Sequence, residues 1–516
     1  MILPPRLLLT VLVLGTLLPG HATAVDGATG DGPTLSPAQA RDDVQLAIDV
    51  AEAALRHPHW HHPPGGWEAA RTRALQDAAA PDDAMDVYVA VARLMAHVRE
   101  GHLDVAPSDA ARDWQRAHAR LLPLDLHWSG EGVFVSGTHG DARAVPVGSR
   151  VESINGEPAD ALLDELASLS ARDGDILTGT MRECPGRCYA VLRHRIRGDE
   201  TGFALRYRTP DGRSGQARLS PHPMRERPPA PGRARRIATL EWVAPGIAYL
   251  EVSTFSNRIY REAGTSFRAV IQRLFEEIHE GGADRLILDL RENGGGSEPN
   301  EAILYSYLVA EPLQRYRSVE ARGRMLSVTS PAGTTLTHEV FDAEEMAFQQ
   351  PLADGRLGRR NLPPEGLMSH WERAAPVYTG RLAILIGGRT FSGGAELAAM
   401  LRHVGRGVFV GEETGGTYEG NTSGYSWDVT LSHSGVTLGM PLLRFRFDWD
   451  AAIAGRGVLP DCDVAPRVSE NGLSRDRAWH AALALVQHDA DPRGACPADA
   501  AAGAPPHQRP PGRSRH

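Results

Sequence analysis

Two short glycine-rich segments, each at the end of an apolar run, constrain this chain more than any other feature. The first is LDLRENGGG, residues 288–296, and the second is RTFSGGAE, residues 389–396. The runs RLILDL and RLAILIGG that lead into them have the length and apolar character of buried strands. The first segment offers bare backbone N–H groups, and the second offers a hydroxyl, Ser392, at the start of a helix. A nucleophile beside N–H donors suits acyl transfer, so the pair predicts an enzyme.

The strand and helix patterns around these segments alternate from residue 237 onward. This alternation is typical of an α/β fold, and it predicts an α/β core over residues 237–488. The Ala-, Pro- and Arg-rich residues 489–516 are predicted to be a disordered tail.

The N-terminus has the pattern of a secretory signal over residues 1–24. Arg6 precedes an apolar run over residues 7–18, and Ala-Thr-Ala at residues 22–24 suits cleavage. The run is too short for an ordinary membrane span. We therefore expect a periplasmic or secreted protein without membrane insertion.

Residues 25–115 are predicted to be a helical N-terminal region, with Ser36 and Pro37 opening its first helix. A Pro/Gly-rich segment within it carries alternating histidines. Imidazole is the commonest metal ligand, but such loops are usually solvated connections, so no metal site is predicted. The histidines are His57, His59, His61 and His62.

Residues 116–221 have a mixed pattern, in which two alternating runs around Pro-Asp-Gly at residues 210–212 predict a hairpin. The Pro- and Arg-rich residues 222–236 are predicted to be an interdomain linker.

Composition excludes several classes of function. The net charge of −9 favours neither nucleic acid nor an anionic membrane as a partner. The chain contains no lysine, so all 55 basic residues are arginine and a serine–lysine mechanism is excluded.

Four cysteines in an exported chain favour disulfides. Cys184 could pair with Cys188, and Cys462 with Cys496, although three pairings are possible and the sequence does not choose among them. The spacings do not suit zinc.

Taken in order, the motifs resemble those of the C-terminal-processing, or tail-specific, serine peptidases, whose catalytic core is shared with tricorn protease. The resemblance implies a crotonase/ClpP-like catalytic core. It also implies a PDZ-like module over residues 116–221, which would bind the substrate's C-terminus as an added strand. The motifs are EGH (100–102), VGSRVESING (147–156), LDLRENGGG, TFSGGAE followed by GEETGG (411–416), and RGVLPDCDV (456–464).

By the same resemblance Ser392 is the nucleophile. The backbone N–H of Gly393, with that of Gly294 or Gly295, would form the oxyanion hole. The alternative for Ser392 is a helix N-cap without chemistry.

The general base is implied to be a histidine. One branch of the family uses a lysine after the serine, and Thr417 stands at that position here. The tricorn-like branch uses a histidine that matches His102, and an imidazole suits this proton transfer. The alternative for His102 is a structural histidine that closes a helix.

Other histidines compete less well as the base. His403 lies roughly 16 Å along the helix from Ser392, His433 falls in a hairpin, and His97 falls in the helix that precedes the EGH motif.

Two positions depart from the tricorn-like branch. Gly101 stands where a serine precedes the histidine, and Ala454 stands where an acidic residue is expected. Asp448 or Asp450 could orient the base instead. Without an orienting acid the imidazolium is less stabilised and the rate falls.

We therefore expect a secreted or periplasmic serine endopeptidase that cleaves peptides or unfolded proteins through an acyl-enzyme on Ser392. It would need no metal or organic cofactor. The alternatives are a non-catalytic peptide- or ligand-binding protein on the same scaffold, and other acyl chemistry such as that of an esterase.

Overall fold

The computed structural model describes residues 34–55, 65–81, 83–227, 235–361, 368, 374–469, 472–474 and 476–487. The predicted signal segment, the His57–His62 loop and the predicted tail lie outside these residues. Among the described residues, no helix combines the length and the apolar character that crossing a bilayer requires.

The first helix begins where the sequence predicts. The Ser36 hydroxyl accepts a hydrogen bond from the backbone N–H of Gln39 (3.3 Å), and the Gln39 side chain accepts one from the N–H of Ser36 (2.9 Å). This reciprocal capping box satisfies two N–H groups that a helix start leaves unpaired. The elements of this region are α1 (Pro37–Ala54), α2 (Gly66–Asp77), α3 (Ala84–Val98), β1 (Asp104–Ala106) and α4 (Asp109–His118).

An antiparallel sheet with three helices follows, and we call residues 120–227 the middle module. The hairpin predicted at residues 210–212 is confirmed, and Cys184 forms a disulfide with Cys188, one of the pairings that the sequence left open. Its elements are β2 (Arg120–Leu121), β3 (Leu124–Ser129), β4 (Gly132–Thr138), β5 (Arg150–Ile154), β6 (Glu157–Pro158), α5 (Ala159–Ala167), α6 (Thr178–Glu183), α7 (Cys188–Arg197), β7 (Phe203–Arg208), β8 (Ser214–Leu219) and β9 (His222–Pro223). The sheet order is β3-β4-β5-β7-β8, with β6 on β5.

The predicted linker begins later than the sequence suggests. Strand β9 pairs with β2, and the buried Arg227 guanidinium donates a hydrogen bond to the carbonyl of Leu122 (3.0 Å). Residues 222–227 therefore pack as part of the middle module, because their backbone and side-chain donors find acceptors there.

The remaining elements are β10 (Thr239–Ala244), β11 (Ile247–Glu251), α8 (Asn257–Glu262), α9 (Phe267–Glu280), β12 (Arg285–Asp289), α10 (Asn300–Leu308), β13 (Tyr316–Ala321), β14 (Met325–Thr329), β15 (Thr335–Glu339), β16 (Gln349–Pro351), β17 (Leu357–Arg359), β18 (Arg381–Ile386), α11 (Gly393–His403), β19 (Val408–Gly411), β20 (Gly420–Thr430), β21 (Thr437–Phe447), β22 (Cys462–Asp463), β23 (Arg467–Ser469), β24 (Gly472–Ser474) and α12 (Asp476–Gln487). The remaining strands, together with β1, form two further six-stranded sheets and two two-stranded sheets, β14-β15 and β23-β24.

The first of these sheets has the order β10-β11-β12-β18-β19-β22, and its strands from β11 to β22 run parallel. Its central strands are apolar on both faces, as expected of a parallel sheet covered by helices. The two glycine-rich segments follow the neighbouring strands β12 and β18, so they meet at the same edge of the sheet. The mixed α/β class is confirmed.

The second sheet is antiparallel, with the order β1-β21-β13-β17-β16 and with β20 also paired to β21. Strand β1 pairs with β21 through Asp104 opposite Gly439. This pairing attaches the N-terminal region to the core and places residues 100–103 beside the start of α11.

Cys462 also forms a disulfide. Its predicted partner, Cys496, lies outside the described residues.

Candidate active site

Ser392 lies at the turn between β18 and α11, in a backbone conformation that few residues other than glycine adopt (φ 52°, ψ −131°). Its hydroxyl makes no hydrogen bond to the start of the helix, so it is not acting as an N-cap. The turn is fixed from behind, because the N–H of Phe391 donates to the carbonyl of Asn293 (3.0 Å). A strained, half-buried serine whose side chain has no capping role suits a nucleophile.

The two glycine-rich segments contact each other closely at this turn. Gly295 has a φ of +85°, and a Cβ there would lie 2.7 Å from the Cβ of Ser392 and 2.8 Å from the N of Gly393. A Cβ on Gly294 would meet no atom within 4 Å. Position 295 therefore requires glycine because its φ is positive and because no space remains for a side chain. Position 294, in contrast, has space for a side chain.

The predicted oxyanion donors differ in what they bind. Gly393 is the first residue of α11, so its N–H has no acceptor within the helix. The N–H of Gly294 donates to the carbonyl of Glu292 (3.1 Å), and that of Gly295 to the Oδ1 of Asn293 (2.9 Å). Both donors from the first segment therefore have acceptors within their own turn.

His102 lies in the turn that follows α3, closed by a hydrogen bond from the N–H of Leu103 to the carbonyl of Glu100 (3.3 Å). Its ring packs on Phe391, the residue before Ser392, with ring centroids 4.5 Å apart. Both ring nitrogens are shielded from solvent and have no hydrogen-bond partner among the described residues. Burial lowers the pKa of His102 to about 4, so the imidazole is neutral at pH 7. The structure thus brings His102 beside the serine turn without a hydrogen bond to Ser392.

Two buried carboxylates flank this histidine turn. Asp173, from the loop between α5 and α6, accepts hydrogen bonds from the N–H of Gly101 (2.6 Å) and of Thr417 (3.4 Å). Glu100 accepts one from the N–H of Thr422 (3.2 Å). Burial, and then the charge of Glu100, raise the pKa of Asp173 to about 8. Asp173 belongs to none of the motifs, so its position could not be predicted from local patterns.

Residues 246–464 match the model of peptidase family S41.

This segment is an S41 peptidase domain.

The chain is accordingly a serine-type peptidase, and its resemblance to the C-terminal-processing family is confirmed. The S41 domain contains Ser392 and both glycine-rich segments, whereas His102 and Asp173 lie outside it.

Solved structures share this fold at low sequence identity. Mature CPAF is 15% identical over 83% of this chain and 93% of its own, with a TM-score of 0.57. Mature CPAF complexed with lactacystin is 15% identical over 83% and 94%, with a TM-score of 0.56. The photosystem II D1 C-terminal processing protease is also similar, at 15% identity over 88% of this chain and 99% of its own, but its TM-score of 0.38 is too low to establish a shared fold.

The acids predicted to orient the base are placed elsewhere. Asp448 and Asp450 are exposed and pair with Arg317, at 3.5 and 3.0 Å. Ala454 is exposed as well. Neither aspartate orients His102 in this structure, because both side chains extend toward solvent and Arg317.

The other histidines also lie apart from the serine turn. His403 stacks on Trp449 with centroids 4.6 Å apart, and the backbone of His433 donates to Asp43 (3.2 Å). Thr417, which stands at the position of the family's lysine, is held through its N–H by Asp173.

A buried charged network lies behind the serine turn of the S41 domain. Arg315 is fully buried and pairs with Glu301, whose carboxylate lies near Gly393. Tyr316 donates to Glu396 (2.6 Å), and so does Asn421 (2.9 Å). Burial raises the pKa of Glu301, and the neighbouring charge of Arg315 opposes this rise.

One oxygen from each of Glu298, Glu301 and Glu396 lies within 4.8 Å of the others, a spacing that a cation could use. Glu301 and Glu396 are already bound by Arg315, Tyr316 and Asn421, and Tyr316 also donates to Glu298 (3.2 Å). The cluster is therefore a salt-bridge and hydrogen-bond network that supports the start of α11.

Proposed function

We propose that the chain is an exported serine endopeptidase that hydrolyses peptides or unfolded proteins through an acyl-enzyme on Ser392. The observation that carries this proposal is the strained serine turn, in which the hydroxyl makes no capping bond and Gly295 and Gly393 lie beside it. His102 is the proposed base, since its ring packs on the residue next to Ser392.

The reaction follows from these positions. The Oγ of Ser392 forms a bond to the substrate's carbonyl carbon while its proton passes to the imidazole of His102. The carbonyl oxygen becomes an oxyanion that accepts from the N–H of Gly393, and from that of Gly295 once it leaves Asn293. Collapse breaks the C–N bond, and the imidazolium protonates the leaving amine. Water then hydrolyses the ester by the same steps.

The proposed architecture around this chemistry is a crotonase/ClpP-like core and a PDZ-like middle module. The parallel sheet from β11 to β22 supports the first assignment, and the antiparallel sheet with α5 following β6 supports the second. A PDZ-like module would bind a substrate's C-terminus as an added strand. Export rests on the signal pattern of residues 1–24.

Covalent labelling with a fluorophosphonate probe tests the proposal. We expect the protein to be labelled, labelling to disappear in Ser392→Ala, and its rate to fall sharply in His102→Ala. A folded, processed protein that is not labelled would contradict catalysis. Full activity in His102→Ala together with none in Ser392→Ala would refute the base assignment alone.

A non-catalytic binding protein is the second candidate. It is favoured by the His102 ring nitrogens, which have no hydrogen-bond partner within the described part of the chain, and by the hydrogen bond that engages the N–H of Gly295. This alternative predicts peptide binding, measured by calorimetry, that is equal in wild type and Ser392→Ala, with no peptide turnover in either.

A further inference from the structure

The loop over residues 171–176 leaves the middle module and contacts two segments of the active-site region. The N–H of Gly174 donates to the carbonyl of Arg99 (3.0 Å), and the N–H of Asp175 donates to that of Gly455 (2.8 Å). Gly174 has a φ of +51°, and a Cβ there would overlap the backbone of Gly455. The loop therefore packs between the segment that carries His102 and the stretch that precedes β22.

The side chain of Asp173 extends this contact to the catalytic residues. It is 3% exposed, and each of its carboxylate oxygens accepts one backbone N–H. The Oδ1 binds Gly101, the residue before His102, and the Oδ2 binds Thr417. A buried carboxylate is unfavourable unless such donors satisfy it.

The contact at Gly101 leaves no room for a side chain. A Cβ there would lie 2.9 Å from the Oδ1 of Asp173 and 2.8 Å from the ring of Phe391. Gly101 therefore lets the peptide of the histidine turn rest directly on both neighbours, which explains why glycine replaces the family's serine at this position.

The contact at Thr417 reaches the serine turn. A Cβ on the preceding residue, Gly416, would lie 3.6 Å from the Oδ2 of Asp173 and 3.5 Å from the N of Ser392. The N–H of Gly415 also donates to the carbonyl of Thr390 (2.9 Å). Residues 415–417 thus fill the space between Asp173 and the peptide of Ser392.

We propose that Asp173 is the positioning residue of this active site, which fixes the backbone of the His102 turn relative to the backbone of the Ser392 turn. It acts through peptide N–H groups, whereas an orienting acid of a catalytic triad acts through the imidazole. This assignment rests on the proposed function, in which His102 takes the proton of Ser392. A displacement of about 1 Å between such groups lowers a rate by about a hundredfold.

Asp173→Asn is the informative substitution. An asparagine fits the same space, but it replaces one of the two oxygens that face backbone N–H groups with an NH2 donor, so one of these N–H groups loses its partner. Asp43→Asn is the matched control. Asp43 is 1% exposed, and its two oxygens accept the N–H groups of His433 (3.2 Å) and Ser434 (2.7 Å) at the far end of the β20–β21 hairpin.

The experiment measures kcat and KM for a fluorogenic peptide that the wild type hydrolyses and Ser392→Ala does not. We expect Asp173→Asn to lower kcat at least about tenfold with KM within about twofold of wild type, and Asp43→Asn to keep the wild-type kcat. If Asp173→Asn does not fold by circular dichroism, Asp173→Glu takes its place, since it moves both oxygens by one methylene. The same loss of kcat is expected.

Two results would overturn the proposal. The first is a wild-type kcat in the folded Asp173 variant. The second is an equal loss of kcat in Asp43→Asn, which would show a general effect of removing a buried hydrogen-bond acceptor. Both leave the proposed peptidase function intact. A wild type with no Ser392-dependent hydrolysis would instead refute the proposed function, and the positioning role with it.

Discussion

The Oδ1 of Asn293 accepts a hydrogen bond from the backbone N–H of Gly295 at 2.9 Å, immediately beside Ser392. Asn293 is fully buried, and its amide nitrogen has no partner among the described residues. In the proposed mechanism the N–H of Gly295 is one of the two donors to the oxyanion. The bond to Asn293 must therefore break before this donor can serve catalysis.

Asn293→Asp tests that relationship. A carboxylate holds the N–H of Gly295 about twice as strongly as an amide oxygen does, and it adds negative charge beside the developing oxyanion. Since one oxyanion donor contributes about a hundredfold or more to kcat, we expect a loss of that size. The rate of fluorophosphonate labelling and kcat should fall together. Labelling of Asn293→Asp at the wild-type rate would show that the N–H of Gly295 takes no part.

Gly295→Ala and Gly294→Ala form a matched pair. The added methyl at position 295 meets Ser392 at 2.7 Å in a left-handed conformation, whereas at position 294 it meets nothing within 4 Å. We expect Gly295→Ala to reduce kcat/KM by about a hundredfold, and Gly294→Ala to reduce it far less. Steady-state kinetics of the two purified variants checks this. Equal losses would contradict the close approach of the two segments.

The pH dependence of kcat/KM tests the environment of His102. The base must be neutral to accept a proton, and burial lowers its pKa to about 4. Activity should therefore persist as the pH falls through 6.5 and should decline only near pH 4. Single-turnover measurements would separate this decline from unfolding. A decline centred near pH 6.5 would mean that the imidazole is solvated or paired with an acid in the working enzyme.

Arg315→Met tests the network behind the serine turn. Removal of this buried guanidinium leaves Glu301 uncompensated, so we expect the free energy of unfolding to fall by about 3–5 kcal/mol. Arg317→Met is the control, because Arg317 is 43% exposed and pairs only with the exposed Asp448 and Asp450 among the described residues. It should change stability by less than about 1 kcal/mol. Urea denaturation followed by circular dichroism measures both, and a similar small effect in the two variants would contradict the prediction.

The sequence predicted the parts of this site that local patterns encode. Apolar runs followed by glycines predicted the strands β12 and β18 and the turn of Ser392, because strand ends and tight turns depend on residues that are close in sequence. His102 was found only through the order of motifs, since 290 residues separate it from Ser392 in the chain.

Local patterns could not predict the contacts of Asp173 or the position of the Asp448 side chain. Asp173 is 72 residues from Gly101 and 244 from Thr417, and no pattern links positions that far apart. Asp448 precedes the RGVLPDCDV segment in the chain, but the direction of its side chain depends on its pairing with Arg317. Side-chain direction at a strand end is a tertiary property.

The pairing of β1 with β21 determines which parts of the chain are needed for hydrolysis. It joins the N-terminal region, which lies outside the S41 match, to the sheet beside Ser392. This region carries the proposed base, His102. In the proposed mechanism, residues 246–464 expressed alone would contain Ser392 and the oxyanion donors but would lack the base, His102. In this mechanism the region from α1 to α4, which carries His102, and the middle module, which carries Asp173, are therefore components of the enzyme, and a truncation that spares the whole family domain would still abolish turnover.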